Sequence, residues 1–301
     1  MKWIAVVATT AFVNKILGKG SQQRIGFQQE FENLVRPQAG NTPLSELTTL
    51  SLSRCESLIA SSDSLGQFTA LKTLDLYGCE SLTVLPDSLG QLTALTRLDL
   101  SWCEFLAVLP ESLGRLTAFT ILNLCGCSSL TSLPEDLGQL TALTILNLSQ
   151  CESLTALPED LGQLTALTRL NLSQCESLTA LPENLGQLSK LKTLDLFRCE
   201  SLIALPESLG QLTALTRLDL SGCRSLRGLP ESLVNCVSLR KLTLSRCSGI
   251  TGLPPAIFGL PNNCTVELID CRLSETVMNR LREATQARAI TAPDSHIRCP
   301  L

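Results

Sequence analysis

Cysteine is the residue whose type and spacing first suggest chemistry. The chain holds 14 cysteines in 301 residues, and Cys55, Cys79, Cys103, Cys127, Cys151, Cys175, Cys199, Cys223, Cys247 and Cys271 follow one another at intervals of 24. Thiols can bridge, ligate a metal or act as nucleophiles. Carboxylates form rows of their own. Asp87, Glu111, Glu135, Glu159, Glu183, Glu207 and Glu231 share one place in the period, and Glu56, Glu80, Glu104, Glu152, Glu176 and Glu200 share another. Paired carboxylates can do acid–base work. Against both readings stands a single histidine, His296, close to the C-terminus. A Ser-His-Asp or Cys-His site has little to work with there.

Other sequence motifs of chemistry are incomplete. No CxxC occurs, and Cys125 with Cys127 makes one CxC, two ligands where a structural zinc takes four. Gly18-Lys19-Gly20-Ser21 lacks the upstream glycine of a phosphate-binding loop. Cys299-Pro300-Leu301 is one residue short of a prenylation box. Asn147, Asn171 and Asn263 head glycosylation patterns, but the first two fall in segments read below as strands.

The element that positions all of these is the period itself. From Cys175, leucines fall at Leu178, Leu181, Leu185, Leu188, Leu191, Leu194 and Leu196. Leu194 and Leu196 alternate, the period of a short strand with one buried face. Pro182 and Gly186 bracket Glu183-Asn184-Leu185, which predicts one short helical or 3₁₀ turn with proline at its first position and glycine past its end. Such a unit cannot bury its own leucines, but stacked copies form one continuous core. A fixed place also explains the acidic rows as solvated outer surface, mildly self-repelling. The repeated cysteine is a small buried thiol donating to loop carbonyls. Parallel side-chain directions make bridging between neighbours geometrically poor.

With its repeats written LxxLxLxxCxxLxxLPxxLGxL, the chain resembles the leucine-rich-repeat family over about Leu44 to Leu273. The texture is similar to the repeat regions of bacterial type III effectors and of plant intracellular immune receptors. The ending Leu260 to Ala284 is closer to the effector type. The resemblance implies an α/β solenoid: a horseshoe with a concave parallel β-sheet, short helical or 3₁₀ turns on the convex side, and helical caps at both ends.

Three regions follow. Residues 1–43 are read as an N-terminal helical cap and linker, 44–273 as about ten repeats, and 274–301 as a C-terminal capping helix and tail. Met1 to Val13 fits either a short signal peptide or a helix closing the open end. Gln22 to Val35 carries Ile25, Phe27, Phe31, Leu34 and Val35, mostly at helical spacing, and Arg36 to Pro43 is a linker. Repeats degenerate at both ends, with Ser61 and Ser62 in place of Leu-Pro, then Val234, Cys236 and Phe258 off pattern. Ser274 is a helix N-cap for a face made by Val277, Leu281 and Ala284.

Specificity must lie where the repeats differ. By the resemblance, the x positions around the strand face the concave side. One apolar centre with basic flanks is expected from Ile121 and Ile145 between Arg97 and Arg169, with Trp102 and Tyr77 near it and Gly78 and Gly126 leaving room for the Trp102 ring. Phe197, Arg198 and Arg217 make a second patch. Exposed Trp, Tyr and Arg are enriched in binding hot spots. The plainer alternative is scattered surface residues, with Arg97–Asp99 and Arg217–Asp219 merely pairing.

These observations predict a non-catalytic recognition scaffold that binds another protein on its concave face, and the resemblance implies a role in host–microbe or immune recognition. The alternatives are the substrate-binding part of a ubiquitin-ligase-type effector, for which Cys299 is the one cysteine outside the repeats, or a secreted or cell-surface binder. No cofactor, metal or catalytic residue is expected. At net charge −4 nothing favours nucleic acid or an anionic membrane. A monomer in a reducing compartment, the cytoplasm or a host cytoplasm, completes the expectation.

Overall fold

In every period the Leu-x-x-Leu-x-Leu run becomes a three-residue strand, and each strand pairs in parallel with the next. The structure, a computed structural model, describes residues 5–7, 43–54, 63–271, 273–277 and 279–280. Its strands are β1 (Ala5–Val7), β2 (Thr49–Ser51), β3 (Thr73–Asp75), β4 (Arg97–Asp99), β5 (Ile121–Asn123), β6 (Ile145–Asn147), β7 (Arg169–Asn171), β8 (Thr193–Asp195), β9 (Arg217–Asp219), β10 (Lys241–Thr243) and β11 (Thr265–Glu267). They form one 11-stranded sheet in sequence order. Arg97 lies beside Ile121, Ile121 beside Ile145 and Ile145 beside Arg169. A constant register of one period puts every repeat position in a column.

The strands are short because the chain leaves the sheet at a fixed left-handed residue. Arg54, Gly78, Trp102, Gly126, Gln150, Gln174, Arg198, Gly222, Arg246 and Asp270 all have φ between 56 and 78. The residue after each is a ladder cysteine, and from Cys79 onward it points inward. Cys79 through Cys271 in that series are buried. Cys151 Sγ donates to the Leu124 carbonyl at 3.2 Å and Cys175 Sγ to the Leu148 carbonyl at 3.1 Å. Burial pushes the Cys127, Cys175 and Cys247 thiols up to about 12. Cys151, Cys199 and Cys223 are raised as well, first by burial and then by neighbouring thiols. Cys79 and Cys271 aside, the described cysteines form no disulfide; Cys55 and Cys299 lie outside the described residues.

On the convex side each repeat makes a 3₁₀ turn, such as Glu111–Arg115, Glu135–Gln139, Glu159–Gln163 and Glu183–Gln187. Two details differ from the sequence reading. Pro182 is extended, with φ −67 and ψ 146, so it caps the turn and does not begin it. The glycine sits inside the turn. A Cβ on Gly114 would meet the Asp136 carbonyl oxygen at 2.7 Å and Asp136 Cβ at 2.8 Å. In the uniform repeats neighbouring turns stack backbone on backbone and glycine leaves the room, whereas Val234 in the same column stands against Gly259 of the next turn, Pro255–Gly259. Phe258 can occupy the same column because, among the described residues, no further turn stacks beyond it. It packs against the core, and Arg280 lies 5.8 Å from its ring.

Between sheet and turns runs a single leucine core, with most of its side chains wholly buried. Phe68 and Phe119 fill leucine slots in two columns without becoming exposed. At the N-terminal end a helical cap was expected over 1–43. At Ala5–Val7 the chain is instead a strand, added in parallel to β2 with Ala5 beside Thr49. An edge strand needs backbone partners, and the main chain of Ala5–Val7 supplies them to β2. The rest of that region, including 8–42, and Leu281, Ala284 and His296, lie outside the described residues. At the other end 275–277 and 279–280 are helical, and the Val277 N–H donates to Ser274 Oγ at 3.4 Å. No helix among the described residues is long and apolar enough to cross a membrane.

Candidate protein-binding face

Three columns floor the concave side. The first, ahead of each buried strand leucine, reads Thr73, Arg97, Ile121, Ile145, Arg169, Thr193, Arg217, Lys241. The register places Arg97, Ile121, Ile145 and Arg169 on four adjacent strands as one uninterrupted row. Parallel strands stand ~4.8 Å apart, so the row is about three spacings long. Both isoleucines are half-buried and both arginines exposed.

The second column carries the side-chain chemistry. Asp75, Asp99, Asn123, Asn147, Asn171, Asp195 and Asp219 each accept, through Oδ1, the backbone N–H two residues on; for Asn171 the donor is Ser173 at 2.9 Å and for Asp195 it is Phe197 at 3.0 Å. This bond shapes the exit from each strand. Two of the asparagines also bond sideways: Asn123 Nδ2 donates to Asp99 Oδ1 at 3.0 Å and Asn147 Nδ2 to Asn123 Oδ1 at 2.9 Å. Asn147 and Asn171 are thus strand residues committed to the fold. Burial raises the Asp195 carboxyl against the lowering effect of the Phe197 N–H.

The third column, with the left-handed residue beyond it, forms the rim. Trp102 is 40% exposed, and its ring lies against Gly126, where a Cβ would meet Cδ2 at 3.0 Å. Arg198 leans over Gly222 in the same way. Its guanidinium also lies 5.7 Å from the ring of exposed Phe197. Tyr77 is half-buried and covered from the preceding repeat by Arg54, 5.6 Å from its ring.

The expected partner-binding residues therefore fall in two groups. Arg97, Ile121, Ile145 and Arg169 are contiguous, with Trp102 at the rim beside them. Phe197 and Arg198 pack on one another, and Arg217 is tied to Asp219 at 3.2 Å. Arg97 is likewise tied to Asp99 at 3.4 Å, so the plain pairing named above is real at both arginines.

Two features escaped the sequence reading. The lateral Asn–Asp bonding is one. The other is an apolar strip outside the concave face: Phe105 is 59%, Val108 43% and Val84 41% exposed. Their columns otherwise hold Ser or Gly, and Ala, Ser or Gly, so departure from the column composition was the available signal. The acidic first-turn row, Asp87 through Glu231, is exposed along the convex side, as a solvated surface requires.

A family model described as a leucine-rich repeat region matches residues 41–177, and one for the leucine-rich repeat matches 214–236. Among solved structures, the leucine-rich-repeat domain of the type III effector XopL is 23% identical, with 85% of this chain and 86% of that one covered and a TM-score of 0.58. A leucine-rich-repeat protein of Leptospira interrogans is 23% identical over 86% of this chain and 85% of that one, at a TM-score of 0.40. Internalin C2 of Listeria monocytogenes is 20% identical over 70% and 82%, at 0.47. No curated protein matches the chain.

Proposed function

Since the chain is a leucine-rich-repeat protein, a family whose domains generally serve as protein-binding scaffolds, we propose that its concave sheet grips another protein through the row over β4–β7. The observation that carries this reading is the contiguity of Arg97, Ile121, Ile145 and Arg169 on one face. Every other place in that column is Thr, Lys or Arg, so the two isoleucines are the only apolar interruption among the described strands β2 to β10. A stacked, hydrogen-bonded sheet loses little freedom on binding, which favours affinity from a modest surface. The similarity of the repeats to effector and immune-receptor repeats supports a role in host–microbe or immune recognition. The buried thiols from Cys103 to Cys247 of the ladder, which form no disulfide, support a reducing compartment.

The test is a paired affinity capture. Wild-type chain and an Ile121→Asp/Ile145→Asp double variant, both checked for an unchanged melt, serve as baits in host-cell extract with quantitative mass spectrometry. A true partner is retained at least about tenfold less by the variant. Equal retention of every captured protein would mean that this face is not the binding surface.

A further inference from the structure

The basic residues of the first column are not equivalent. Arg97, Arg217 and Lys241 are each followed two residues on by an acid or lie beside one, and each is neutralised: Arg97–Asp99 at 3.4 Å, Arg217–Asp219 at 3.2 Å, Lys241–Glu267 at 2.8 Å. Arg169 is the exception. It is exposed, and the residue two on is Asn171, which bears no charge. Among the described residues it makes no ion pair. The nearest acid of the second column, Asp195, feels the cation of Arg217. Arg169 is therefore the one uncompensated cation of the column, and it stands directly beside Ile145 in register.

Resting on the concave-face reading, we infer that the partner is a protein segment that presents a carboxylate to Arg169 and a large apolar side chain, one strand spacing away, to Ile145 and Ile121. The charge argument selects the acid. An exposed carboxylate meeting Arg169 displaces no internal partner, whereas one meeting Arg97 or Arg217 must compete with an aspartate already in place. A guanidinium also suits a carboxylate by its two-pronged geometry. The spacing argument selects the apolar neighbour. Adjacent strands ~4.8 Å apart match side chains one or two positions apart on an extended or helical segment. Asn147 and Asn171 line the same stretch with neutral polar groups, and the nearest carboxylate of that column, Asp195, lies beside Asn171 on the next strand.

The test uses a displayed library of random twelve-residue peptides, selected on the full chain and, in parallel, on Arg169→Glu. Peptides enriched on the wild type should share Asp or Glu next to Leu, Ile, Phe or Trp, and that acid should disappear from the Arg169→Glu pool. A synthetic copy of the best peptide should bind about tenfold more weakly to Arg169→Ala, and equally well to Arg115→Ala, which removes a convex-side cation. Replacing its acid by Lys should restore binding to Arg169→Glu. Peptides without a shared acid, or indifferent to Arg169→Ala yet lost on Ile145→Asp, would overturn the inference while leaving the concave face as the binding surface. Peptides indifferent to both changes would remove that surface as well. A library that enriches nothing counts against the acidic segment.

Discussion

The convex glycines offer a sharp test of how the repeats stack. Gly114 lies in the turn Glu111–Arg115, and a methyl group there would sit 2.7 Å from the carbonyl oxygen of Asp136 and 2.8 Å from its Cβ. Both are well inside van der Waals contact. Neither can swing away, because one is backbone and the other is anchored to it. Gly114→Ala must push the two turns apart and loosen the leucines beneath. Overpacking of this kind costs typically 1–3 kcal/mol. The reduced freedom of the unfolded chain returns about 0.4–1 kcal/mol, leaving a net loss centred on about 1 kcal/mol. Gly228 is the control. A Cβ there meets nothing within 4 Å, its φ is not left-handed, and Ala156, Ala180 and Ala204 already hold the same column. Gly228→Ala should therefore gain about 0.4–1 kcal/mol. Urea melts followed by circular dichroism will read both, as midpoint shifts of opposite sign. Because Gly114 joins neighbouring units of a linear array, its variant should also broaden the transition as the two halves uncouple. If Gly114→Ala matches or exceeds the wild type in stability, the turns do not stack backbone on backbone.

Four further outcomes are expected. Gln174 holds φ 61, which costs a non-glycine about 1–2 kcal/mol, so Gln174→Gly should raise the urea midpoint, by up to about 1 kcal/mol after the added unfolded-state entropy, while Gly222→Ala lowers it. The buried thiols ionise in the unfolded chain near 9.0 but in the folded chain only near 11 for Cys236 and Cys264 and near 12 for Cys127, Cys175 and Cys247. Folded thiols hold protons that unfolded ones release, so the contribution is intact below 9.0 and is lost as pH rises from there towards 11 or 12. The slope is about 1.4 kcal/mol per thiol per pH unit, and a midpoint flat from pH 8 to pH 11 would contradict the buried ladder. Cys125 is the one described cysteine that is not buried, so Cys125→Ser should remove a fast-reacting thiol in native-state labelling, whereas Cys151→Ala should leave that fast fraction unchanged. Deleting Leu143 to Ala166 removes one whole period; the shortened chain should still melt cooperatively, at slightly lower temperature, and failure to fold would argue against near-additive stacking.

Much of the fold was legible because it is a period. An unbroken interval of 24 residues fixes the column of every side chain before any contact is known. The inward cysteines, the leucine core and the Arg97–Ile121–Ile145–Arg169 row all follow from it. What stayed hidden belongs to the space between repeats. The glycine of LGQL reads as a turn's end from one repeat alone; only the next repeat's carbonyl shows why it lies inside. The proline reads as a helix start, yet its extended ψ makes it a cap. Ala5–Val7 carries too few residues for a period-2 signal, and its role as an edge strand depends on β2 being there to receive it. Phe105, Val84 and Val108 lie outside the concave columns, and their departure from the Ser and Ala of their own columns is the only mark they carry in the sequence.

The same logic separates scaffold from specificity. A column that repeats one residue type is answering to its neighbours: glycine to the adjoining turn, cysteine to a carbonyl of the preceding repeat, leucine to the shared core. Substituting one member breaks a contact present in every other unit. Where a column changes type with no change in its neighbours' geometry, stacking gives no reason for the change. Asn171 meets the Ser173 N–H just as Asp195 meets that of Phe197, at 2.9 Å and 3.0 Å. Either residue would serve the fold. The choice of Asn there leaves Arg169 without a counter-charge, and it does so beside the only two isoleucines of the column. An unneutralised guanidinium next to an apolar pair gains nothing for stability, so Arg169, more than the aromatic rim, points to a partner.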